Sequence, residues 1–202
     1  MQVLLLPAVL ASIVALDLAI YLQHVMFHAL PLLWRLHRVH HADPDFDVTT
    51  GVRFHPVEIL LSMLIRIAVI AVVGAPPLAV LAFEIILNVT AIFNHANVRL
   101  SPRLDRNLRW LLVTPDMHRI HHSMDVAEAN SNFGFNLPWW DRLFGTYRST
   151  ASLPQVRMAI GVQGLTGRGE CVRLPGLLAI PFIGAGTENG TPRNLEPRHE
   201  AH

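Results

Sequence analysis

Nine of the twelve histidines in this chain fall into four clusters: His24 and His28; His37, His40 and His41; His95; and His118, His121 and His122. On a helix, residues three and four apart share a face, so imidazoles at those spacings can converge on one point. His24 and His28 have that spacing, and each HxxHH run offers three ring nitrogens from one side of a single turn. A tetrahedral zinc takes about four ligands, so nine imidazoles are more naturally shared by two adjacent ions. Imidazole suits iron, zinc, copper and nickel, and ligand type alone does not name the metal. A lone HxxxH is weak evidence of a site. Two HxxHH runs set among apolar segments are strong evidence, because an imidazole buried beside such segments is costly unless it is paired, metal-bound or functional.

The elements that must position these residues belong to a membrane. The chain has 202 residues, of which 51% are hydrophobic and 15% charged, with a mean hydropathy of +0.36. Three apolar stretches, about residues 3–33, 57–73 and 77–93, have the length of spans, since a bilayer needs about 20 residues of helix. The first lacks the basic start and small-residue cleavage site of a signal peptide. GAPP (Gly74 to Pro77) breaks the second from the third into a helical hairpin. With three spans, the end of the first, the start of the second and the end of the third share a side, and every histidine cluster lies there. Arg35, Arg38, Arg53, Arg99, Arg103, Arg106 and Arg109 lie there too, so the positive-inside rule makes that side cytoplasmic. The expected architecture is an all-α integral membrane protein with a cytoplasmic, histidine-rich helical cap.

Other polar residues mark the spans. Asp17, Tyr21, His24 and His28 form one stripe leading into the histidines, and Asp17, too far from His28 to share a metal, is expected to support a histidine or pair with an arginine. Glu84, Asn88 and His95 form a second stripe, and Arg66 is a partner for Glu84. His55, in RFHPVE, reads as part of a helix entry with Pro56 and Glu58 rather than as a ligand. Trp139 and Trp140 suit interfacial anchors, and Asp141 with Arg142 a local pair. The run Leu174 to Gly184 is too short to span and is expected to lie on the membrane or pack against the cap. Residues 185–202, with His199 and His202, read as a disordered tail. Cys171 is the only cysteine, which excludes an intramolecular disulfide and a CxxC metal site; it reads as a small neutral packing residue.

Six blocks in order carry a family resemblance: DLAIYLQHVMFH (Asp17 to His28), WRLHRVHH (Trp34 to His41), DVTTGVRFHPVE (Asp47 to Glu58), FNHANVRL (Phe93 to Leu100), TPDMHRIHH (Thr114 to His122) and NFGFNLPWWDRLFGTY (Asn132 to Tyr147). The chain resembles the fatty acid hydroxylase and sterol desaturase superfamily of membrane di-iron oxygenases. The resemblance implies an enzyme domain over residues 1–150, followed by an interfacial segment at 151–184. It implies two iron ions held by His24, His28, His37, His40, His41, His95, His118, His121 and His122, with dioxygen as co-substrate. It further implies hydroxylation or desaturation of a lipid, electrons from a separate reductase, cytochrome or ferredoxin, and a multi-pass location, with a bacterial inner membrane favoured over the endoplasmic reticulum. One departure is Ala91, where some members carry a histidine one turn before the His95 position; water, Asn94 or Asn97 would then complete the second ion, or that ion would bind more weakly.

Other functions fit less well. HExxH is absent and neither HxxHH run contains a glutamate, which argues against zinc hydrolysis. A net charge of +1 gives no electrostatic case for nucleic acid. The alternatives that stay open are a catalytically degenerate member and a non-enzymatic membrane metal-binding protein.

Overall fold

The computed structural model describes residues 2–165 and 169–184; the tail, with His199 and His202, lies outside the described residues. Three helices have the length and apolarity to cross a membrane: α1 (Gln2–Ala29), α3 (Pro56–Val73) and α4 (Pro77–Asn94). Between them lies the short α2 (Pro31–His41). Beyond them come α5 (Pro102–Leu108), α6 (Pro115–His121), α7 (Val126–Ala129), α8 (Trp139–Leu143) and α9 (Leu174–Ala179). Among the described residues there is no strand, only an isolated bridge between Ser123 and Ile160.

The long helices keep their apolar side chains on the outside. Leu60, Leu64, Ile67 and Val72 of α3 are 57%, 63%, 56% and 87% exposed, a continuous apolar surface that suits lipid and not water. α1 is the shared partner of both α3 and α4, with Leu16, Ile20 and Phe83 buried at the junction. The hairpin turn is made by Gly74, whose φ of 66° is left-handed and favours glycine.

The first apolar stretch is two helices rather than one run to residue 33. Leu30 is extended (φ −98°, ψ 119°), as expected of a residue before proline, and Pro31 starts α2. This break turns α2 back over the end of α1, which brings the first HxxHH run against His24 and His28. The segment ending in Gly184 packs against the cap. Ile180 is buried with Val39, Ala42, Leu165 and Cys171, and Arg38 donates to the carbonyls of Ile180 and Ile183.

Candidate metal centre

The structure brings all nine clustered histidines together and leaves His55 out. Ring nitrogens of His24, His28, His37, His41 and His121 lie within 4.8 Å of one another, and those of His40, His95, His118 and His122 form a second such group. Each HxxHH run serves both groups. In α2, His37 and His41 face the first group and His40 the second; at α6, His118 and His122 face the second and His121 the first. The rings of His41 and His122 stack at 4.4 Å and join the two groups.

The orientation of the rings is fixed from behind. The Nδ1–H of His24 donates to Phe133 O (2.8 Å), that of His40 to Thr50 O (3.0 Å), that of His95 to Ala91 O (2.8 Å) and that of His121 to Ser131 O (2.8 Å). His37 Nδ1 donates to Glu58 Oε1 at 2.6 Å. A carbonyl or carboxylate oxygen can only accept, so these contacts place the proton on Nδ1 and leave a lone pair on Nε2. Yet two pairs of those lone pairs face one another: His24 and His37 Nε2 are 3.1 Å apart, and His40 and His95 3.3 Å; His118 Nε2 lies 3.0 Å from His95 Nε2. His121 Nε2 and both ring nitrogens of His122 are buried without a hydrogen-bond partner among the described residues. Opposed lone pairs in a buried space repel unless a cation lies between them. With metal–nitrogen bonds of about 2.0–2.1 Å, two nitrogens on one ion sit about 3 Å apart, so the donor set fits a metal in each group.

Burial acts in the same direction. His40, His41, His118 and His122 are held well below the ordinary imidazole range, first by burial and then by neighbouring imidazoles. Burial lowers His95 to about 4 and His121 to about 3. Neutral rings are the ligand form.

The flanking blocks act as struts. Asp141 Oδ1 accepts from Phe133 N and Thr146 Oγ1 (2.8 and 2.6 Å), and its Oδ2 from Gly134 N (2.8 Å), fixing the carbonyl that holds His24. Burial pushes Asp141 up to about 6. Asp141 does not pair with Arg142 as the sequence suggested; Arg142 instead lies over the Trp110 and Tyr147 rings. Asp17 is neither a ligand nor an arginine partner: it accepts from Asn136 Nδ2 (2.8 Å) and Trp140 Nε1 (2.7 Å), tying α1 to the cap. Trp140 thus works as a strut, and the Trp139 indole donates to Trp110 O. Asn132, left-handed at φ 53°, bonds Met117 O and Arg148 O and so places Ser131 under His121. Two residues have roles the sequence reading did not give them. Glu58 suits the first turn of α3 and also orients His37; only its position at the same membrane face as the histidines hinted at this. Gly51 lies so close to α4 that an added Cβ would be 3.0 Å from Ala91 O and 3.2 Å from His95 Nδ1. At the Ala91 departure, Asn94 Nδ2 donates to Phe135 O and Asn97 accepts from Arg119.

Three helices of membrane-spanning length that gather nine imidazoles into two groups able to hold a metal define a membrane-embedded, histidine-rich class of protein. A model of the fatty acid hydroxylase family matches residues 9–146, and the chain belongs to that family. It is 30% identical over 176 residues to an ornithine lipid hydroxylase of Rhizobium tropici, covering 86% of this chain and 50% of that protein. It is 31% identical to an alkylglycerol monooxygenase of Xenopus tropicalis (65% and 28% covered) and 26% identical to a cholesterol 25-hydroxylase of Mus musculus (83% and 55% covered). The chain thus spans about half or less of the length of these relatives, which are by name oxidoreductases acting on lipids. No solved structure matches it significantly.

Proposed function

We propose that this chain is an oxygen-dependent di-iron enzyme that oxidises a C–H bond of a membrane lipid. The five-histidine and four-histidine groups would each hold one iron. The observation that carries this reading is the convergence of nine histidine ring nitrogens into two adjoining groups, with Nε2 atoms opposed at 3.1 and 3.3 Å. The named lipid hydroxylases and monooxygenases among the relatives support the choice of iron and of lipid.

When bound, the iron pair supplies reductive activation of dioxygen; in hydroxylation one oxygen atom enters the alcohol and the other leaves as water, with two electrons and two protons from an external donor. The protein's part is to gather the nine rings, orient them and keep them dry. Nδ1 donation to four carbonyls and to Glu58 aims the Nε2 atoms inward. The cap, pinned to α1 through Asp17 and through the Tyr21 hydroxyl at Thr146, closes the centre from the aqueous side. From the membrane side, a cavity of about 340 Å³ between α1, α3 and α4 reaches His24, His37 and His40, so an apolar chain can be presented without passing through water. Arginine-rich flanks support a cytoplasmic position for this end by the positive-inside rule, where a reductase, cytochrome or ferredoxin would deliver electrons. The geometry suits hydroxylation and desaturation equally, since both begin with the same C–H bond.

The test is iron content per chain after anaerobic purification in mild detergent, with oxygen uptake measured on addition of a chemical reductant and mixed lipid. Near two irons per parent chain, lost in His121→Ala/His122→Ala, with lipid-dependent oxygen uptake, is the expected result. Iron content unchanged by the substitutions would refute the site, and iron without oxygen uptake would favour a non-enzymatic metal-binding protein.

A further inference from the structure

The cavity that reaches the histidines is not uniformly apolar. Ser62 and Arg66 follow Glu58 at one-turn intervals, so Glu58, Ser62 and Arg66 form a polar stripe on the cavity face of an otherwise apolar α3. The stripe is answered from the other two spans. Gln23 Nε2 of α1 donates to Ser62 Oγ at 3.0 Å, and Arg66 Nη1 contacts both carboxylate oxygens of Glu84 on α4 at 2.8 and 2.9 Å. Two polar atoms at this cluster, Gln23 Oε1 and Arg66 Nε, are buried and have no hydrogen-bond partner among the described residues. An uncompensated polar atom within a membrane span is costly, and ionisable residues there mark ligand sites more often than packing.

The leftover valences specify a ligand chemistry. Glu84 already neutralises the Arg66 charge, so an anion would meet a carboxylate and a cation would meet a guanidinium. The atoms left buried and unpartnered are one N–H donor and one carbonyl acceptor, with the Ser62 hydroxyl proton beside them, and a neutral group able both to donate and to accept would satisfy them. We propose that this cluster is a specificity site, and that it recognises a hydroxyl or amide on the lipid whose C–H bond is presented to the histidines. At a rise of ~1.5 Å per residue, Arg66 lies about 12 Å along α3 from Glu58, the partner of His37. The oxidised carbon and the recognised group are therefore separated by up to that distance, and a plain hydrocarbon chain is a poorer ligand than an amphiphile of equal length. This inference rests on the oxidase reading for the words "oxidised carbon", and on the cavity alone for recognition.

The experiment uses metal-loaded protein in phosphatidylcholine nanodiscs, with radiolabelled 1-decanol and n-decane as probes. Two double variants, Gln23→Leu/Ser62→Ala and Arg66→Met/Glu84→Gln, are compared with the parent, so that the different membrane partitioning of the two probes cancels. Metal content and helical circular dichroism establish that each variant is folded, and the first double variant, which leaves the ion pair intact, carries the test alone if the second does not fold. One or two hydrogen bonds correspond to about tenfold tighter binding of decanol than of decane beyond partitioning. The expected result is that this preference is present in the parent and falls severalfold or more in the variants, with decane binding unchanged. No preference in the parent, or one that survives in every folded double variant, overturns the proposal and leaves the cluster as a packing staple. Oxygen uptake is measured on the same samples: uptake without alcohol preference overturns this inference only, whereas preference without uptake supports it and counts against the oxidase reading.

Discussion

Replacing Glu58 by leucine tests whether the buried carboxylate behind His37 sets metal affinity. The contact is short, 2.6 Å, and both side chains are about 5% exposed. In the leucine variant the His37 Nδ1–H loses its acceptor in a dry site, which costs about 1–3 kcal/mol. The ring also loses the partner that fixes its tautomer, so Nε2 no longer carries a lone pair in every molecule. Loss of such an outer partner typically lowers metal affinity about 10–100-fold, equivalent to about 1.4–2.7 kcal/mol. Glu58→Gln keeps a carbonyl acceptor and loses only the charge, so it should fall between parent and Glu58→Leu. The assay is competition for ferrous ion against a chelator of known affinity, with helical circular dichroism as the control for folding. Affinity unchanged within twofold in a folded Glu58→Leu variant would refute the argument that this carboxylate orients the ligand.

Two other perturbations follow from the same geometry. Gly51→Ala puts a Cβ 3.0 Å from Ala91 O and 3.2 Å from His95 Nδ1, an overpacking of about 1–3 kcal/mol that displaces His95; metal in the four-histidine group should weaken while the other group holds, giving close to one iron per chain by elemental analysis, and two retained irons would count against it. For pH, burial lowers His95 from 6.5 to about 4 and His121 to about 3. Their folded-state values lie below the unfolded ones, so this stability is fully present above about pH 6.5 and is lost as pH falls toward 4; at about 1.4 kcal/mol per pKa unit, His95 alone accounts for about 3 kcal/mol. The midpoint of thermal unfolding of metal-free protein should therefore fall steeply from pH 7 to 5, and a flat profile would show that the rings are not buried as neutral bases.

The cap illustrates why some partners were legible along the chain and others were not. The Arg66–Glu84 pair could be anticipated because two opposite charges on neighbouring apolar helices have few other partners. His55 is legible as a helix entry because it precedes Pro56, and its side chain accepts from Val57 N at the start of α3. Asp141 and Arg142 looked like a pair because they are adjacent, yet the carboxylate is turned inward to two backbone amides and a threonine hydroxyl, and the guanidinium outward onto aromatic rings. Adjacency in sequence says little about direction when a short helix such as α8 sits between two layers.

By itself the sequence determined the spans, their common histidine-bearing end, and the nine imidazoles, because hydropathy and helical spacing are local properties of the chain. Tertiary structure alone decided how those imidazoles divide. The break at Leu30 and Pro31 folds α2 over α1, and the cap carries α6 across it, so each HxxHH run sends its middle or outer nitrogens to different groups. It also decided which backbone carbonyls and which carboxylate stand behind five of the nine rings, and that Asp17 meets Trp140 rather than an arginine. These contacts join residues up to 123 positions apart, and no local pattern encodes them; they exist because a buried polar group is costly without a partner, and these found theirs where the three spans end.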